Sequence, residues 1–160
     1  MSSAARQAGP RATGVIIRAA ILAAATAALA HVAFPLPFSP VPITGQSFGA
    51  MIAGLLLPPG AAMGSQLAYL LAGAMGLPVY AGGRAGIGVL FGPTGGYLWG
   101  LAAGSYVTSA IVESGTRRAQ IPTTSRCITA SIVGGVVILY ALGVVQLALT
   151  ARFSWTTPRA

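Results

Sequence analysis

The chain has 160 residues, 55% of them hydrophobic and only 6% charged, whereas soluble domains carry about 25% charged residues. Its nine basic residues are all arginine and its one acid is Glu113, which gives a formal charge of +8 and a pI near 11.2. That balance excludes an ordinary soluble domain. It does not point to nucleic acid either, because the arginines form no stripe on a solvated face. The single cysteine, Cys127, excludes an intrachain disulfide, a CxxC redox site and a thiolate zinc site.

Residues 1–12 are small and polar, contain Arg6 and Arg11, and are predicted to be a disordered cytoplasmic N-terminus. Residues 13–34 supply an alanine-rich apolar span of about the 20 residues a bilayer requires, with Arg18 able to snorkel to the interface. The same stretch also fits a secretory signal peptide, with Ala28-Leu29-Ala30 as a small-residue cleavage site before His31. The membranous character of everything that follows favours a retained helix.

Residues 34–44 place four prolines, Pro35, Pro37, Pro40 and Pro42, in a run that cannot be helical. Proline fixes φ and biases its predecessor toward extended backbone, so a stiff extended cap is expected. A second apolar segment spans 45–57 and is ended by Pro58-Pro59-Gly60; a third spans 61–77 and stops at Pro78. Residues 77–104 are the most unusual stretch, with Arg84 amid glycines, then Gly92-Pro93-Thr94-Gly95-Gly96-Tyr97 leading into an apolar helix. Irregular backbone at membrane depth is tolerated only where it is buried in protein or lines a polar cavity, so this segment is the candidate ligand site. A fourth helix is predicted from about 93 to 112, where Gly96, Gly100 and Gly104 form a smooth packing face. A connecting loop is expected over 113–126 with Arg117, Arg118 and Arg126, then a fifth helix over 127–150 and a polar outer tail over 151–160. The transmembrane domain is thus residues 13–150, an all-α integral membrane bundle of five helices with Pro/Gly-rich outer loops.

A cytoplasmic N-terminus places Arg6, Arg11, Arg18, Arg117, Arg118 and Arg126 inside, as the positive-inside rule favours. Both irregular loops then lie outside. Arg84 is the exception to the rule. Either lipid headgroups hold it at the interface, or its planar guanidinium awaits an anionic ligand such as a carboxylate. Catalysis has little to work with: one Glu and one His, predicted on opposite sides of the membrane, with no Asp or Lys. No enzyme activity, cofactor or metal is expected. The Gly-rich runs look like phosphate loops, but no Gly-Lys-Ser/Thr follows them and no βαβ unit surrounds them. Any energy for transport must come from a partner chain.

Three stretches in order, 35–44 with Gln46, Gly76-Leu77-Pro78-Val79-Tyr80-Ala81-Gly82-Gly83, and Gly86 followed by Gly92-Pro93-Thr94-Gly95-Gly96-Tyr97, resemble the BioY family. BioY proteins are the biotin-specific substrate-binding (S) components of energy-coupling factor transporters. The resemblance covers roughly residues 13–113 and implies a six-helix membrane protein that captures biotin from outside. It also implies as partners a transmembrane coupling subunit and a pair of cytoplasmic ATPases. By position, the loop from Pro35 to Gln46 would close over the ligand, and Arg84 would meet its carboxylate. Tyr80 and Tyr97 would give apolar and hydrogen-bonding contacts, Thr94 would line the site, and Gly82, Gly83, Gly95 and Gly96 would allow close backbone approach. Coupling-subunit docking would use Ala19, Ala23 and Ala27, or Ala20, Ala24 and Ala28, with the register left open. The family continues into a sixth helix with a Pro-Gly-Asp-x-x-Lys motif, which this sequence does not reach before Ala160. Two further readings stay open: a structural or assembly membrane subunit, and an S component for another vitamin.

Overall fold

The computed structural model describes residues 10–36, 39–116 and 122–156. Most of the 1–12 segment therefore lies outside the described residues, although helix α1 already begins at Pro10 and runs Pro10–Leu29. It ends five residues earlier than expected, because the chain turns into strand β1, Ala33–Leu36. β1 pairs antiparallel with β2, Ser39–Thr44, through Ala33↔Thr44, Phe34↔Ile43 and Leu36↔Ser39. The register slips between Phe34 and Leu36, at Pro35, whose ring nitrogen has no proton for the ladder. The proline segment is thus extended as expected, and it is folded into a hairpin. Gly45 then makes a tight corner: a Cβ there would lie 2.7 Å from the Leu29 carbonyl.

Helix α2 is Gln46–Leu56 and helix α3 is Pro59–Ala74, the latter opening with proline at its first helical position, where the missing N–H is no loss. α3 ends in a Schellman turn. Gly76, at φ 103°, directs its N–H to Gly73 O (3.1 Å), and Leu77 N–H reaches back to Ala72 O (3.2 Å). Pro78 then prevents the helix from resuming. After the loop, the short helix α4, Gly88–Phe91, leads to α5, Gly95–Thr116. Helix α6 is Thr124–Ile132 and continues through a π segment, Val133–Ile138, into α7, Leu139–Thr156. The helices flanking the expected 113–126 loop extend into it at both ends, α5 to Thr116 and α6 from Thr124, despite the low helix propensity of the Ser, Thr and Gly there. Residues 151–156 of the expected tail are helical.

α5 is the central helix, packed against α2, α3 and the continuous α6–α7 rod. The smooth glycine face operates as the spacing predicts: Gly96 lies on Leu142, Gly100 on Leu139 and Gly104 on Gly134. Tyr69, Leu70, Leu98, Leu101 and Leu139 fill the core around it. Polar links cross the helices as well, from Gln66 Nε2 to Thr26 Oγ1 (3.3 Å), Thr108 Oγ1 to Ala130 O (3.2 Å) and Ser109 Oγ to Leu57 O (2.5 Å). Helix association in lipid relies on such small residues and hydroxyl bonds rather than on hydrophobic burial. α1 is held by one of these links and packs on α2 and α3, so it is an integral layer of the bundle.

Ala12–Leu29 and Thr124–Thr150 are long and apolar enough to cross a membrane, while Gln46–Leu56 is apolar but shorter. Their outer faces remain uncovered, with Ile16, Ile21, Val144 and Val145 all more than half exposed.

Candidate functional site

The loop from Gly76 to Thr94 is built on Tyr80. Its ring stacks edge-on against Tyr69 at 5.8 Å, its hydroxyl donates to Leu70 O at 2.6 Å, and the residue is 1% exposed. Gly73 makes room for it, because a Cβ there would overlap the Tyr80 ring. Tyr69 carries the connection further. Its hydroxyl donates to Val79 O (3.1 Å) and accepts from Gln46 Nε2 (2.7 Å), while Thr44 Oγ1 donates to Gln46 Oε1 (3.3 Å). The foot of the hairpin is thereby bonded through α3 to the start of the arginine loop, and the two irregular segments share one end of the bundle.

Beyond Tyr80 the chain doubles back, with Tyr80 N–H bonded to Arg84 O (3.0 Å) and Gly83 N–H to Tyr80 O (2.9 Å). Gly82 and Gly83 hold φ of 71° and 73°, which only glycine adopts readily, and nothing lies within 4 Å of where their side chains would be. Arg84 is exposed, and its Nε donates to Ala81 O at 3.1 Å. A fixed, permanently charged guanidinium thus stands beside open glycine backbone. The chain's one acid, Glu113, lies 18 residues along α5 from Gly95, roughly 27 Å away at 1.5 Å per residue.

The other residues named from sequence sit differently. Gly95 and Gly96 are buried against Leu90, Leu142 and Gln146, and Tyr97 stacks edge-on with Tyr140 at 5.7 Å while its ring rests on Gly143. Thr94 is half-buried just before α5. Tyr80, Gly83 and Arg84 are therefore tied by backbone bonds around the turn that contains Gly82, Gln46 reaches the start of that loop through Tyr69, and Gly95, Gly96 and Tyr97 belong to the contact between α5 and α7. Two residues went unnoticed in the sequence. Tyr69 links the loops, and Gln146 Nε2 donates to both Leu90 O (3.0 Å) and Gly92 O (2.9 Å), pinning the loop to α7. A lone amide in an otherwise apolar helix was the available signal for Gln146. On α1, Ala19, Ala23 and Ala27 pack inward, whereas Ala20, Ala24 and Ala28 are exposed.

A mostly helical bundle with apolar outward faces and hydrogen-bonded irregular loops gathered at one end has the architecture of a membrane protein. Comparison with known proteins agrees. A model of the BioY family matches residues 2–159. A biotin transporter BioY from Rhizobium etli is 42% identical over 125 residues, covering 76% of this chain and 66% of the relative. One from Rhodobacter capsulatus is 44% identical over 128 residues, covering 78% and 64%. The crystal structure of an S-component for biotin from an ECF-type ABC transporter superposes with a TM-score of 0.82 at 25% identity, over 90% of this chain and 76% of that one. The chain belongs to the BioY family. It spans about two thirds of the length of the curated relatives it matches.

Proposed function

We propose that this chain is the membrane-embedded capture subunit for biotin in an ATP-driven energy-coupling factor transporter. It is not itself an enzyme; a transmembrane coupling subunit and a cytoplasmic ATPase pair are its partners. In this reading the protein sits in the cytoplasmic membrane with its N-terminus inside, five helices form the bundle, and the hairpin and arginine loop face outward. The observation that carries the proposal is the Arg84 turn, where an exposed guanidinium and open glycine backbone stand at the hairpin end of a biotin S-component fold. Arg84 meets the ligand carboxylate, and the hairpin covers it. Tyr80 acts from behind, holding the turn in place. The ligand reading extends to Tyr97, Thr94, Gly95 and Gly96 only if the α5–α7 contact opens toward the same space.

Radiolabelled biotin binding to the purified protein tests this. Arg84→Ala is expected to weaken binding about 10- to 100-fold, the loss of charge-assisted hydrogen bonds worth about 1.5–3 kcal/mol, with thermal stability unchanged. Unchanged affinity would remove Arg84 from the site, and absence of binding by the unaltered chain would favour the assembly-subunit reading. Preference for a different small carboxylate in competition would favour another vitamin.

For docking, the exposed register Ala20, Ala24 and Ala28 is the one available to the coupling subunit. Ala24→Trp should abolish copurification of that subunit while leaving biotin binding intact.

A further inference from the structure

The hydrogen bonds through Tyr69 can run in only one direction. A glutamine amide nitrogen only donates and a backbone carbonyl only accepts. Gln46 Nε2 therefore gives to the Tyr69 hydroxyl (2.7 Å), whose own proton must go to Val79 O (3.1 Å). Tyr69 is 2% exposed and Gln46 7%, so water is poorly placed to replace either bond. The carbonyl end of the same amide accepts from Thr44 Oγ1 (3.3 Å), on the last residue of β2. Both ends of the Gln46 side chain are thus engaged within the protein. Each irregular segment also has anchors of its own. The hairpin corner is held by Gly45 N–H to Val32 O (3.0 Å) and Ser47 Oγ to Thr44 O (3.3 Å). The arginine loop is held by the Tyr80 hydroxyl on Leu70 O and by Gly86 N–H on Gly73 O (2.7 Å). None of these bonds reaches from one segment to the other, whereas the Tyr69 hydroxyl does.

We propose that Tyr69 is a positioning residue whose hydroxyl fixes the hairpin foot against the arginine loop, and that Gln46 acts on ligand capture through Tyr69 rather than by touching the ligand. Because the joint is shared, loosening the hairpin foot loosens the Arg84 turn. By the reciprocity of linked equilibria, a ligand that steadies the turn steadies the hairpin to the same extent. The tyrosine ring cannot do this without its oxygen. Phenylalanine would keep the edge-on contact with Tyr80 but leave the Gln46 donor and the Val79 acceptor without their bridge. The effect on affinity rests on the capture reading above; the coupling of the two segments does not.

Hydrogen exchange of the purified, ligand-free full chain, read by mass spectrometry, tests the joint first. Gln46→Leu should speed exchange about threefold or more in the peptide holding Tyr80, Gly83 and Gly86, although Gln46 is bonded to none of them. Tyr69→Phe should speed exchange both there and over residues 33–45. Ser47→Ala breaks a bond at the same corner that does not lead to Tyr69, and should leave the arginine-loop peptide unchanged. An unchanged loop peptide in Gln46→Leu, or the same acceleration in Ser47→Ala, would overturn the proposal; this pair decides even where Tyr69→Phe fails to fold. Biotin binding reads the second half. Gln46→Leu and Tyr69→Phe should each weaken it about tenfold, and the double variant no further than either alone, because both remove one shared unit. Additive losses would mean separate ligand contacts and would overturn it. If the unaltered chain binds no biotin, the capture reading fails, and the exchange result still decides whether the joint exists.

Discussion

The glycines of the arginine loop and those of α5 serve opposite physical ends. Gly82, Gly83 and Gly86 adopt positive φ and have empty space where a side chain would be; Gly96, Gly100 and Gly104 are helical and have none. In the loop, glycine is required for what its backbone can do, and in the helix for what its missing side chain permits. A substitution therefore strains one region through torsion and the other through collision, and the two respond to different replacements.

The largest effect is expected at the collision sites. Gly104→Val drives a branched side chain into the Gly134 carbonyl, backbone that cannot step aside, and should cost about 3 kcal/mol, near the upper end for overpacking. Thermal unfolding in detergent measures it; a melting temperature unchanged from the unaltered protein would mean α5 and the π segment do not touch. Next, Gln146→Leu leaves the Leu90 and Gly92 carbonyls without their side-chain donor. About 2 kcal/mol should be lost, together with biotin affinity if the pinned loop is the binding loop. A stability loss with full affinity would separate α7 from the site. Gly82→Ala has room but the wrong torsion, so about 1 kcal/mol is expected; here Gly82→Asn, which tolerates positive φ, should recover most of it. Smallest is the control: Gly64 lies exposed in α3 with nothing within 4 Å and ordinary φ. Gly64→Ala should stabilise by about 0.5–1 kcal/mol through helix propensity, and destabilisation there would reveal an unseen neighbour.

Much of this fold is legible in the residues. Pro58-Pro59 and Gly76-Leu77-Pro78 mark helix boundaries because proline cannot donate and glycine can adopt left-handed backbone, and the four-residue spacing of Gly96, Gly100 and Gly104 marks a packing face. The hairpin was not legible, because prolines that forbid helix do not say what an extended chain pairs with. Nor was the division of the candidate site. Tyr80 and Tyr97 read alike in sequence, yet one is locked to α3 and the other rests on α7. Tyr69 and Gln146 act on residues 10 and 54 to 56 positions away, distances at which no local pattern exists.

Composition and local chemistry by themselves determined that the chain belongs in a bilayer, where its helices break and which loop carries an arginine held among glycines, because hydropathy, proline and glycine act within a few residues. Only the tertiary structure decided which alanine register on α1 stays uncovered, which tyrosines support and which pack, and that the hairpin foot is bonded to the arginine loop. Those outcomes depend on which surfaces meet when separate helices come together, and contact between distant segments leaves no mark on either segment alone.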